Sequence, residues 1–133
     1  MLRPLAALSF ALTIAGCASS PLALSVAGKD ALQAESADKL CFAYALMKPA
    51  GVRAELERRQ LFTAQEWQRI EKGYWWVGMS EAALLCSQGK PAVVNQTVTA
   101  AGVSSQYVFE ECRSYCPRRY AYVRNGLVTA LQQ

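Results

Sequence analysis

The sequence predicts an α+β fold: N-terminal helices, then a further helix and a three- to four-stranded antiparallel sheet packed as two layers. Two observations predict this order. Apolar residues recur at helical spacing as far as Gly89, whereas after Pro91 the period changes to two and Val, Thr, Tyr and Phe are enriched. The chain has 133 residues, enough for one modest core. We therefore expect a single α+β domain over residues 36–133.

Two helices are expected in the first part of this domain. One runs from Ser36 to Lys48, and the other over Val52–Gln60. The second carries Glu55 and Arg59 one helical turn apart, a spacing at which acid and base attract by only tenths of a kcal/mol. We expect this pair to lie on a solvated face.

The next helix has the strongest start signal. Thr63 and Glu66 have the spacing of a capping box, and Phe62 is placed to pack on Trp67. Gly73 is expected to end this helix. The aromatic stretch Tyr74–Gly78 that follows is expected to be a strand or an extended packed segment.

A further helix is expected from Ser80, as N-cap, to Gly89, with Pro91 stopping it. Alternating patterns then predict the strands, which are Ala92–Thr99, Ser105–Glu110, Arg118–Arg124 and Leu127–Leu131.

Asn125-Gly126 is a type I′ turn signal between the last two strands, because both positions of that turn need positive φ. A two-residue turn predicts four facing pairs: Val123 with Val128, Ala121 with Ala130, Tyr122 with Thr129, and Tyr120 with Leu131. One face is then aliphatic and the other aromatic and polar. We expect helices on one side of the sheet and solvent or a partner on the other.

The N-terminus is typical of a lipoprotein signal peptide. Arg3 precedes the apolar run Leu5–Ala15, and Ile14-Ala15-Gly16-Cys17 has the form of a lipobox. An ordinary signal peptide with a chance cysteine and a short membrane helix are the alternatives, but about 11 apolar residues are fewer than the roughly 20 that span a bilayer.

We therefore expect residues 1–16 to be a signal peptide and residues 17–35 to be a lipidated Cys17 with a flexible tether, with a frayed helix toward Leu32 as the alternative. Covalent lipid, such as palmitate, is the only group expected on the chain. Ala18 follows the cysteine, and the absence of Asp there points to the outer membrane of a Gram-negative cell, facing the periplasm.

Lipidation of Cys17 would leave four of the five cysteines: Cys41, Cys86, Cys112 and Cys116. An even number in an exported chain indicates two disulfides, for which three connectivities exist. We favour a short loop closed by Cys112 and Cys116 with Cys41 joined to Cys86. A four-thiolate zinc site is the alternative, although zinc sites usually have two short spacings.

Composition argues against an enzyme. The chain has no histidine, so a His-based triad cannot form. Its only aspartates, Asp30 and Asp38, both lie upstream of most of the expected fold, which argues against an Asp dyad. The net charge of +4 is spread along the sequence, and no stripe for nucleic acid emerges. We expect no catalytic residue, no metal and no nucleic-acid partner.

Gly78-Met79-Ser80-Glu81, the helix ending at Gly89-Lys90-Pro91, and the strands after it resemble the SmpA/OmlA/BamE type of small envelope lipoprotein. The resemblance covers about residues 74–131. Ser80 stands where the family usually has Thr, and the cysteines are not part of the family's pattern. The resemblance implies two helices packed on a three-stranded sheet, an outer-membrane location and a role in binding envelope proteins.

Two functions are expected from these observations. The first is a lipid-anchored interaction or outer-membrane assembly and stability module, whose candidate contact residues are Trp75, Trp76, Tyr107, Phe109, Tyr120 and Tyr122. The second is a periplasmic inhibitor that covers an enzyme cleft with a disulfide-pinned loop from Cys112 to Pro117.

Overall fold

The computed structural model describes residues 20–110 and 115–133. Within those ranges, six helices precede four strands. The helices are α1 (Pro21–Ser25), α2 (Lys29–Ala34), α3 (Ala37–Met47), α4 (Ala50–Arg58), α5 (Ala64–Glu71) and α6 (Glu81–Gln88). The strands are β1 (Val93–Thr99), β2 (Gly102–Phe109), β3 (Arg119–Arg124) and β4 (Leu127–Gln132).

The predicted α+β class is confirmed. The strands form one antiparallel sheet in the order β1-β2-β3-β4. Its inner face shares a core with the helices, so that Tyr107, Ala121 and Val128 are buried in the same cluster as Leu40 of α3 and Leu84 of α6. The helices therefore cover one side of the sheet at β2, β3 and β4.

The segment predicted to be a tether differs from that prediction. Ser20 caps α1 through its hydroxyl, which accepts from the amide of Ala23, and α2 follows after Gly28. Leu24 and Leu32 are 2% and 3% exposed. Each short helix is too small to form alone, and the leucine that each buries against the rest of the core offsets part of its ordering cost.

Glu55 is the second difference, because its carboxylate is buried and not solvated. It accepts hydrogen bonds from Arg58 at 2.8 Å and from Arg59 at 2.7 Å. Arg59 also donates to the backbone carbonyls of Leu32 and Glu35, at the end of α2. Arg59 therefore connects α4 to α2. The hydrogen bonds from Arg58 and, to a smaller extent, from Arg59 lower the pKa of Glu55 to about 2.

The start of α5 is confirmed in detail. Thr63 accepts from the amide of Glu66 while the Glu66 carboxylate accepts from the amide of Thr63, which completes the capping box. Phe62 lies edge-on to Trp67 with 5.0 Å between ring centroids. Gly73 follows with φ of 69°, so the helix ends where the sequence predicts.

The aromatic stretch Tyr74–Gly78 is not a strand; the extended, packed alternative fits it better. Its end leads along the outer edge of β4: the Gly78 amide donates to the carbonyl of Val128, whose own amide donates to the carbonyl of Met79. Ser80 then caps α6. These bonds cover the start of the β4 edge, at Leu127 and Val128.

The Asn125-Gly126 turn is confirmed, with φ of 50° and 79°, and Val123 faces Val128 as predicted. The other three predicted pairs are wrong, because a bulge leaves Thr129 unpaired and shifts the register by one residue. Tyr122 faces Ala130, Ala121 faces Leu131 and Tyr120 faces Gln132. The shift turns Leu131 toward the core, where its side chain buries more apolar surface than that of Ala130 would.

The structure joins Cys41 of α3 to Cys86 of α6, as predicted, with 4.0 Å between the Cα atoms. Both residues are fully buried. Because their sulfurs are bonded to each other, neither is a free thiolate for the zinc alternative. Cys116 is also disulfide-bonded, but its predicted partner Cys112, like Cys17 and the expected signal peptide, lies outside the described residues.

Candidate interaction surface

Two of the predicted contact residues, Tyr107 and Phe109, are core residues. They are 6% and 3% exposed, because alternate side chains of β2 point toward the helices. The Tyr107 hydroxyl donates to the carboxylate of Glu81, the first residue of α6. Burial, and then this carboxylate, raise the pKa of Tyr107 above its usual value. The prediction that these two rings present contact area is therefore wrong.

Trp75 and Trp76 are half-buried and already have partners within the chain. Trp75 lies edge-on to Phe109, and the guanidinium of Arg119 lies 4.9 Å from the centroid of its ring. Arg69 lies 5.1 Å from the Trp76 ring in the same way. Cation–π contacts of this kind hold the rings in place, so that only part of each ring faces solvent.

Tyr120 and Tyr122 lie on the open face of the sheet, opposite the helices. The Tyr122 hydroxyl accepts from the Gln106 side chain and donates to that of Gln132, both at 3.1 Å. Asn95 donates to Gln106 at 3.0 Å, so one chain of hydrogen bonds crosses all four strands. This fixes the side chains of a polar, aromatic face before any partner arrives.

Two shallow concavities divide this open face. One of about 580 Å³ is lined by Thr97, Ser104 and Arg124, and the other, of about 490 Å³, by Val93, Val108 and Tyr120. Tyr122 lies between them and lines both. Of the six predicted contact residues, the structure thus brings together only Tyr120 and Tyr122 on an open surface.

Sequence reasoning missed three exposed features. β1 is exposed along its whole length, Tyr115 is 96% exposed beside the bonded Cys116, and a groove of about 580 Å³ lies between α1, α3 and the end of α6. Pro21, Phe42 and Leu46 line that groove. Apolar and polar residues alternate in the same way along an edge strand and along a strand with neighbours on both sides. The alternation therefore did not indicate that β1 would be exposed.

The described part of the chain contains neither a cluster of metal ligands nor a helix that could cross a membrane. In residues 20–110 and 115–133, no three His, Cys, Asp or Glu side chains lie together as a metal site would need. None of the helices in these ranges has the length and apolar character needed to traverse a bilayer.

Comparisons with known proteins add no family to this description. No family model matches the chain, and neither the curated proteins nor the solved structures include one that is detectably similar to it.

Proposed function

We propose that this protein is an outer-membrane lipoprotein, anchored through Cys17 and facing the periplasm, that binds another envelope protein as an assembly or stability module without catalysis. The observation that carries the binding role is the sheet face opposite the helices. Tyr120 and Tyr122 stand on it, and the hydrogen bonds through Gln106 and Gln132 hold Tyr122 in one position. Rings that are already ordered give contact area at a low entropic cost.

The anchor is supported by the lipobox and by how close Cys17 is in sequence to α1. Three residues separate Cys17 from Pro21, a distance of at most about 14 Å for extended chain. The acyl chains would therefore hold α1 close to the bilayer surface. Leu22 and Leu46, which are 67% and 72% exposed, lie at this end and would meet the interface.

A photo-crosslinking residue at Tyr120 tests the binding role. In intact cells we expect a crosslink to one membrane-fraction protein. The matched control carries the same residue at Gln65, which is exposed on α5, and should give none. Equal crosslinking at the two positions, or none at Tyr120, would argue against the open face as the contact surface.

A periplasmic inhibitor is the second candidate, and Tyr115 favours it. This ring is 96% exposed and precedes the disulfide-bonded Cys116. An exposed aromatic residue beside a crosslink suits insertion into a cleft. Recovery of one soluble hydrolase with the wild type but not with Tyr115→Ala would favour this function over the first.

A further inference from the structure

The free edge of β1 is the surface that the proposed function leaves unused. β1 is the terminal strand of the sheet, and all seven of its residues are exposed. Among the described residues, no other strand pairs with its outer edge. An unpaired edge presents a row of backbone donors and acceptors that can hydrogen-bond to another strand. The opposite edge, β4, is bonded at its first residues by the segment from Gly78 to Glu81.

β1 also lacks the features that usually protect an edge. Its sequence, VVNQTVT, contains no charged residue and no proline. Val94 and Val98 are 44% and 73% exposed, although Val94 pairs with the buried Tyr107 and so lies on the helix side of the sheet. A strand laid along this edge would cover apolar surface and would meet no charge.

We propose that β1 pairs antiparallel with β1 of a second copy of this chain, across a two-fold axis at Gln96. In this register Val94 lies opposite Val98 of the second copy, and Asn95 lies opposite Thr97 of the second copy. Facing residues of antiparallel strands share a side of the sheet. The two valine pairs therefore lie on the helix side, and the two amide–hydroxyl pairs on the open side.

The pattern of β1 favours a second copy over an unrelated strand. Read outward from Gln96, each half gives first a polar residue able to hydrogen-bond and then a valine, so the strand complements itself. Such an isologous contact closes on itself. Each copy uses its single β1 edge in this contact, so pairing yields a closed dimer with one continuous eight-stranded sheet.

Engineered disulfides test this register. In the dimer the two Gln96 residues face each other, with Cα atoms about 4.5–5.5 Å apart, within the range that a disulfide bridges. The two Thr99 residues would be separated by six residues of strand, about 20 Å. We expect Gln96→Cys to form a covalent dimer under mild oxidation and Thr99→Cys to remain at the wild-type level, with the full chain kept in non-ionic detergent.

Sedimentation equilibrium of the same full-length protein gives a second readout. Wild type should dimerise reversibly with concentration. Gln96→Lys sets two ammonium groups against each other and should weaken the association at least tenfold, whereas Gln65→Lys on α5, with the same added charge, should not. A monomer at every concentration, or equal crosslinking of Gln96→Cys and Thr99→Cys, would overturn the proposal. Neither readout depends on lipidation or on the open face.

Discussion

Removing the Cys41–Cys86 disulfide should lower the free energy of unfolding by about 4 kcal/mol, from the loop-entropy relation. The bond closes a loop with a sequence separation of 45. Closing this loop lowers the conformational entropy of the unfolded chain and so stabilises the folded state. The perturbation is the double variant Cys41→Ala/Cys86→Ala, which leaves no unpaired thiol at this site. Both positions are fully buried, so small cavities add to the loss.

Urea unfolding followed by tryptophan fluorescence measures the effect. Trp67 is in the core and Trp75 and Trp76 pack against it, so their emission should report loss of the fold. A loss of this size is a large part of the roughly 5–15 kcal/mol that stabilises a typical domain, and the midpoint should fall accordingly.

Reductant provides the control. With excess dithiothreitol in both samples, the wild type loses the same crosslink, so the difference between the two proteins should fall to what the cavities alone contribute. An unchanged midpoint in the double variant without reductant would refute the reasoning, because the bond between α3 and α6 would then contribute nothing to stability.

Three further predictions concern the turns and the buried carboxylate. Gly126→Val should cost on the order of 1–2 kcal/mol in thermal unfolding, from placing a β-branched residue at positive φ; an unchanged melting temperature would contradict the turn. Gly102→Ala should cost more than Gly126→Ala, since Gly102 has φ of 119°, well beyond the left-handed region that other residues visit, whereas Gly126 has φ of 79°; equal losses would argue against backbone strain as the cause. For Glu55, whose pKa falls from 4.5 to about 2 on folding, the stabilisation is fully present above pH 4.5 and is lost as the pH falls toward 2. Urea midpoints measured across that range should decline less in Glu55→Gln, and parallel declines would exclude the carboxylate as the cause.

Local signals were read correctly from the sequence. The capping box of Thr63 and Glu66, the cap at Ser80 and the turn at Asn125-Gly126 all depend on residues within a few positions of each other. Their structures therefore follow from short stretches of chain. The change of period after Pro91 likewise located the four strands, because one face of the sheet is buried and the other is open.

Features that depend on distant contacts were not predicted. Leu24 and Leu32 have no periodic neighbours, and only packing against the rest of the core orders the helices that carry them. The bulge at Thr129 arises because the core accepts Leu131 in preference to Ala130, a choice that the turn alone does not make. The burial of Tyr107 likewise depends on which face of β2 the helices cover.

The lipid anchor at Cys17 is tested most directly by metabolic labelling with a radioactive fatty acid in a Gram-negative host. We predict that the wild-type chain incorporates label and fractionates with the outer membrane. Cys17→Ser should carry no label and move to the soluble periplasmic fraction. An unlabelled wild-type chain, or a Cys17→Ser variant that keeps its label and its membrane location, would contradict the proposed anchor.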